Sequence, residues 1–420
     1  MNIKITGGTP LSGTITPSGS KNSAVAMIPA SILFQKLTLK NIPDITDVNR
    51  LIKILEKMGS KIIWNKQTCV LHIDNSNLNL ANIGREDLGN MRGTSLLWGP
   101  MLARFGQFDF EDLPGGCTLG ARPLDPHYQA FHDLGVTIDN KNGIKMNALN
   151  AKSGEIWLSE MSPTVTENVI MLATSLPGTT RISGAACEPQ VQDLCQMLTK
   201  AGISISGIGS NIIEITGAKL PADHIHKIWD DHYEISTFLA LGAATGGQIT
   251  VRHTLHELLA PIWYQFTQFG IRLKHTAGST TVLPHQLVNQ SPSTVRAQPW
   301  PALPVDLLPI FIPLALKTRH SHVLFHNWMY EAGLYWTPEL TKLGAEIVVC
   351  DPHRVMVMGG KKLHGATLEA PYIIRAVVSM AMCAMIAHGQ TTILNADTLY
   401  RGHPKFADNL KRLGAKIEEI

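Results

Sequence analysis

Six times in this chain a helical run ends on a glycine and passes straight into an alternating stretch: EKMGSKI, HDLGVTI, TKAGISI, TQFGIRL, TKLGAEI and KRLGAKI. The glycines are Gly59, Gly135, Gly202, Gly270, Gly344 and Gly414, spaced 76, 67, 68, 74 and 70 residues apart. A near-constant period of this kind is the signature of a repeated supersecondary unit. Each glycine can take the left-handed conformation that closes a helix, and the alternation behind it enters a strand.

Upstream of each glycine lies a second, more apolar helical run: AVAMIPASILF, TSLLWGPMLARF, ENVIMLATSL, ISTFLALGAA, LLPIFIPLAL and AVVSMAMCAMIA. These are apolar nearly all round, the pattern of a helix buried on every face. Short strand-like segments follow them, among them TLKNI, TRISGA, QITVRHT, HVLFHNW and TTILNA. The unit reads as helix, strand, amphipathic helix, strand. A chain of 420 residues exceeds one core. Six units, three per domain with buried helices inside and sheets outside, account for that length.

With 44% apolar and 16% charged residues the chain reads as globular, not disordered. The start MNIKITGG lacks a basic and an apolar leader segment, and no run of apolar residues is long enough to cross a bilayer, so neither export nor membrane insertion is expected. A net charge of +3 with no basic run of five argues against a nucleic-acid surface, so any anion site is local. Six cysteines without a CxxC pair suit a reducing, cytoplasmic compartment. Two H-x-H pairs, His224 with His226 and His320 with His322, have no carboxylate or cysteine at ligand spacing, and read as surface or loop histidines.

Polar residues recur where the buried helices begin: Lys21 with Asn22, Arg92, Thr164 with Thr166, Asp231, Asp306 and Arg375. Helix N-termini present unsatisfied N–H groups and a positive dipole end. Asp231 and Asp306 suit N-caps taken one at a time. Lys21, Arg92 and Arg375 cannot cap and are opposed by the dipole, which points to an anionic ligand. Cys117 sits in DLPGGCTLGAR, between Gly116 and Gly120, on a backbone loose enough to close over a ligand. Arg122 close by favours its thiolate, and a glycine-flanked polar loop is a poor place to bury a structural thiol.

The segments SGSKN, MRGTSLLWGPMLARFG, LPGGCTLGARPLDPH and YRGHPKFADNLKRLGAKI span nearly the whole chain, and with them it resembles the UDP-N-acetylglucosamine 1-carboxyvinyltransferases, which share the fold of 5-enolpyruvylshikimate-3-phosphate synthase. The resemblance implies a two-domain inside-out α/β barrel, with residues 1–20 plus 231–420 in one domain and 21–230, carrying the Cys117 loop, in the other. The active site would lie in the cleft between them. It implies transfer of the enolpyruvyl group of phosphoenolpyruvate to the 3-hydroxyl of UDP-N-acetylglucosamine, with release of phosphate and with no metal or other cofactor. Lys21, Arg122 and Arg401 would hold the phosphate and Arg375 the carboxylate. Asp306 would take the acceptor proton, and Cys117 would protonate the donor or help release product. Arg92 would lie near the diphosphate. Arg122, Pro123, Leu124 and Asp125, with Ser162 and Pro163, would line the uridine pocket, and Asn22 and Asp306 would meet the sugar. Asp231 and Met329 complete the substrate-binding set.

The chain departs from that family's pattern at several points. Gly333, in EAGLYWTPEL, stands where an arginine is expected, and Ile373 replaces the aspartate of a D-L-R run. A DRG segment reads Tyr400, Arg401, Gly402, and R-I-E-T-G-T reads His232, Tyr233, Glu234, Ile235, Ser236, Thr237. Glu160 and Thr164 replace a lysine and a glycine. Three readings follow: the ordinary transferase with local compensation, a relative that loads another nucleotide or UDP-sugar, and a non-catalytic nucleotide-binding protein. Retention of both Cys117 and Asp306 argues against the last, since binding alone requires neither. Gly333→Arg is expected to refill the donor pocket if that pocket is merely depleted. Fosfomycin is expected to add once per chain, read by intact mass, and Cys117→Ser to abolish the adduct.

Overall fold

The computed structural model describes residues 1–83, 92–110, 124–141, 143–284 and 290–420. The chain divides into two compact units, one holding Met1–Ser18 and Asp230–Ile420, the other running from Gly19 to Trp229 apart from a short stretch outside the described residues. Each unit carries three separate sheets among the described residues. In the Gly19–Trp229 unit, Lys36–Lys40 lies between Asp223–Lys227 and Val70–Asp74, with Lys61–Asn65 beyond. A second sheet orders Ser204–Ser206, Ile212–Thr216, Thr179–Ser183 and Glu155–Trp157, and a third pairs Gln107–Phe110, Ile144–Asn147 and Thr137–Asp139. In the other unit the N-terminal strand Ile3–Thr6 is inserted between Gln390–Leu394 and Lys416–Glu419, antiparallel to both.

All five four-stranded sheets follow one plan, a parallel pair at one edge and two antiparallel neighbours. The repeat in sequence is thus a repeat in hydrogen bonding. Its six glycines all adopt positive φ: +98° at Gly59, +84° at Gly135, +102° at Gly202, +69° at Gly270, +85° at Gly344 and +94° at Gly414. Each ends its helical turn and releases the chain into the next strand.

The apolar helices are buried as their composition requires. In His232–Thr245 every residue from His232 to Ala244 is buried, and Ile374–Ile386 is buried from Arg375 onward. Lys21–Ala30, Trp98–Phe105 and Pro163–Ala173 form the corresponding core of the other unit. The fifth apolar run is not one α-helix. Val305–Phe311 is 3-10 and Ile312–Lys317 a short α-helix, because Pro309 and Pro313 supply no N–H donors. Likewise the segment before Gly344, Thr337–Leu343, is 3-10 and begins with a proline inside its first turn.

One histidine expectation is corrected. On strand Asp223–Lys227, His226 is not at the surface: it is 3% exposed and its Nε2 lies 2.9 Å from Asp193 Oδ1. Neighbouring His224 stacks on Phe34. Residues two apart on a strand share a face, and this face is the core side.

Gly414 and Gly59 separate conformational strain from steric overlap. A Cβ at Gly414 meets nothing within 4 Å, whereas at Gly59 it would stand 2.6 Å from Asn77 O. Gly414→Ala is expected to cost about 1 kcal/mol, for the left-handed conformation alone. Gly59→Ala is expected to cost clearly more, both read from denaturant midpoints.

Candidate active site

In the Gly19–Trp229 unit, Lys21 opens helix Lys21–Ala30, whose N-cap is Ser20, its Oγ accepting from Ser23 N–H at 3.2 Å. A lysine there opposes the helix dipole, and a carboxylate answers it. Asp47, in the first turn of Thr46–Lys57, places Oδ2 3.2 Å from Lys21 Nζ. The lysine side chain is 17% exposed and that of Asp47 9%. Asn22 is the next residue of the same turn. Arg92 opens the 3-10 segment Arg92–Leu97, and its side chain lies outside the described residues. So do Cys117, Arg122 and Pro123 entirely. Leu124 is the N-cap residue of Asp125–Asp133, which makes Asp125 an exposed first-turn acid, favourable to the dipole.

Ser162 precedes Pro163–Ala173 without a side-chain cap, and Pro163 supplies the fixed φ of a first helical turn. Thr166 is spent on structure: its hydroxyl donates to Ser162 O and accepts from Ala186 N–H, both at 2.9 Å. Further into this helix Glu167 is buried, and burial, followed by the charge of Glu188, holds its carboxyl well above the usual range. Glu167 was not singled out in the sequence, where a carboxylate in an apolar helix was the available signal.

In the other unit three predicted residues, Asp231, Asp306 and Arg375, lie at helix starts. Asp231 is an N-cap in fact, its Oδ1 accepting from Glu234 N–H at 2.9 Å. Asp306 is not: the N-cap position of its 3-10 segment is Pro304, and Asp306 Oδ2 instead faces Arg375 Nε at 3.8 Å, with the aspartate side chain 38% exposed. Arg375 is 7% exposed, and its guanidinium lies 4.3 Å over the Tyr233 ring. Its Nη1 donates to His403 Nε2 at 3.0 Å. Arg401 closes the 3-10 segment Ala396–Arg401, with its guanidinium 4.9 Å over Tyr372. Met329 sits in a turn held by Asn327, whose Oδ1 accepts from the N–H groups of Met329 and Tyr330.

Behind Arg375 stands a second layer that sequence reasoning missed. His403 Nδ1 is 3.6 Å from Glu234 Oε1, both fully buried, and neither atom has a hydrogen-bond partner. Glu234 Oε2 accepts from Ser18 N–H. A buried orphan typically costs about 1–3 kcal/mol, so two that face each other are one small displacement from a bond. The only trace of His403 in sequence is its place two residues after Arg401.

The departures from the family pattern acquire physical content. His232 is 1% exposed, and burial above all pushes its pKa down to about 4, against the pull of Asp231 and Asp306. It is therefore a neutral imidazole where an arginine was expected. Within this unit that makes, with Gly333, two expected cations absent against two expected carboxylates absent at Ile373 and Tyr400, so these four changes balance, whereas Glu160 in the other unit stands for a lysine. Ile373 occupies the N-cap of Ile374–Ile386 without a side-chain bond, where an aspartate would have capped. Gly333 is packed tight: a Cβ there would stand 2.1 Å from Asn327 Nδ2 and 3.1 Å from Tyr330 O. Among the cysteines, burial pushes Cys195 up to about 12 and Cys383 further still, so neither is a nucleophile.

Each of the two units thus holds three sheets and three buried helical segments among the described residues, with Lys21, Arg92 and Arg375 at helix starts. The EPSP synthase (3-phosphoshikimate 1-carboxyvinyltransferase) family model matches residues 5–410. The chain is 36% identical over 424 residues to the UDP-N-acetylglucosamine 1-carboxyvinyltransferase of Borrelia garinii, covering 99% of this chain and 98% of that one. It is 36% identical over 434 residues to that of Bacteroides thetaiotaomicron, covering 99% of each. The chain therefore belongs to the UDP-N-acetylglucosamine 1-carboxyvinyltransferase family. Its fold is also that of the enolpyruvyl transferase NikO from Streptomyces tendae, with TM-score 0.88 at 22% identity over 99% and 98% of the two chains. EPSP synthase from Acinetobacter baumannii matches with TM-score 0.74 at 16% identity over the full length of both.

Since no Cβ fits at position 333 unless Asn327 moves, Gly333→Arg is expected not to lower the Michaelis constant for phosphoenolpyruvate. It is expected to destabilise the protein by about 1–3 kcal/mol. Steady-state kinetics and thermal unfolding of the one variant read both.

Proposed function

We propose that this enzyme transfers the enolpyruvyl group of phosphoenolpyruvate to the 3-hydroxyl of UDP-N-acetylglucosamine and releases phosphate, a step of peptidoglycan precursor synthesis. The observation that carries this is full-length identity of 36% to proteins of that name. Asp306, Arg375 and Lys21, all at helix starts in their own units, supply the charges such a reaction requires. In the reaction the acceptor oxygen bonds to C2 of phosphoenolpyruvate while C3 gains a proton. Loss of a C3 proton with departure of phosphate then regenerates the double bond on the new ether.

In this reading Asp306 takes the acceptor proton. Its partial exposure leaves it open to a substrate hydroxyl, with Arg375 Nε 3.8 Å away. Arg375 holds the donor carboxylate, with its face on Tyr233 and one edge on His403 fixing its plane. Lys21, Arg122 and Arg401 hold the phosphate, and Cys117 handles the proton at C3 or product release. Arg92, Asn22, Leu124, Asp125, Ser162 and Pro163 belong to the nucleotide-sugar side, and Pro123, Asp231 and Met329 complete the binding set. The domain assignment proposed from sequence, 1–20 plus 231–420 and 21–230, distributes these groups over both halves. The enzyme works in the cytoplasm on dissolved small molecules, with neither nucleic acid nor membrane as partner. This reading of the setting is supported by the slight net charge of +3 and by the unpatterned cysteines.

Purified protein given phosphoenolpyruvate and UDP-N-acetylglucosamine is expected to release inorganic phosphate, and Asp306→Asn to lower kcat about a hundredfold or more while calorimetry still detects the UDP-sugar. Turnover with UMP or another UDP-sugar but none with UDP-N-acetylglucosamine would overturn the choice of acceptor.

A further inference from the structure

We propose that His403 is a positioning residue for Arg375, held in one tautomer by Glu234, so that a Ser18–Glu234–His403–Arg375 chain orients the guanidinium that meets the donor carboxylate. The inference rests on the reading of Arg375 given above. Its direction follows from donor inventories. A guanidinium has donors only, so the Arg375 Nη1 contact at 3.0 Å requires a lone pair on His403 Nε2. A neutral imidazole then carries its proton on Nδ1, which faces Glu234 Oε1 at 3.6 Å. Glu234 Oε2 already takes the Ser18 N–H, which leaves Oε1 as the acceptor turned toward His403. Its backbone N–H is pinned by the Asp231 cap.

The stack on Tyr233 fixes the plane of the guanidinium but leaves it free to turn within that plane. The His403 bond stops this turning, because it occupies one corner. Asp306, at 3.8 Å from Nε, is too distant to do the same. Gly402, immediately before His403, brings its backbone close: a Cβ there would meet Ile374 Cγ2 at 3.0 Å and Arg375 Nη1 at 4.0 Å. The turn that carries His403 is thus packed directly on the start of the arginine's helix.

The test compares His403→Phe, which keeps a buried ring without the bonds, with His403→Gln, whose amide accepts from Arg375 and donates to Glu234. The Phe variant is expected to raise the Michaelis constant for phosphoenolpyruvate about ten- to a hundredfold, with that for the acceptor and kcat within about threefold. His403→Gln is expected to recover most of the loss. Nitrogen-15 NMR of histidine-labelled, unsubstituted enzyme, assigned by the signal missing from His403→Gln, is expected to show His403 protonated at Nδ1 and bare at Nε2. An unchanged Michaelis constant in a folded Phe variant, a Gln variant as impaired as the Phe variant, or a proton on Nε2 overturns the proposal. Absence of phosphate release from unsubstituted enzyme would refute the function instead, and the tautomer, read without turnover, still decides the present inference.

Discussion

Six apolar helical segments, two of them 3-10 in their first part, impose the organisation of this molecule. Such a helix must be enclosed, yet its first turn carries N–H groups with no partner inside the helix. Enclosure consequently calls for polar residues at the starts of the helices, with a few buried polar side chains, such as Glu167 and Ser379, further along them. Ser20 and Asp231 answer that demand with their own oxygens. Lys21 and Arg375 do not, and each has instead drawn acceptors around itself: Asp47 in one unit, His403 and more distantly Asp306 in the other. The helix starts divide into those that complete the fold with their own oxygens and those that carry a cation held by other side chains.

The same constraint bears on the positions where the family's expected charges are absent. A buried position tolerates neither an orphaned cation nor an orphaned carboxylate. Where the resemblance led one to expect arginines and carboxylates, the chain has the buried, neutral His232 and the buried Gly333, with half-buried Ile373 and Tyr400. Gly333 in particular is no simple deletion, because Asn327 fills the space a side chain would need while bonding the turn at Met329 and Tyr330.

Much of this was legible in one dimension. The periodic glycines, the apolar helices and the strand alternation each report a local preference: left-handed φ at the helix end, burial without a polar face, period two in a pleated strand. A preference repeated six times is hard to mistake, and the structure carries it into three sheets per unit. Helix type was less legible where prolines intervened, as in Val305–Phe311, because a missing donor shortens the hydrogen-bond step without changing the apolar pattern.

The sequence by itself determined the repeat, the six buried helices and the residues at their starts, since all three depend on neighbours a few positions apart. Only the tertiary structure decided what those starts do. It made Asp231 a cap and Asp306 an open carboxylate, although both read as caps. It set Lys21 against Asp47 across 26 positions of chain, and brought Glu234 and His403 together across 169. Pairings of that kind have no local signature: they arise because closing a core brings remote polar groups into one low-dielectric space, where each must find a partner or bear the cost of having none.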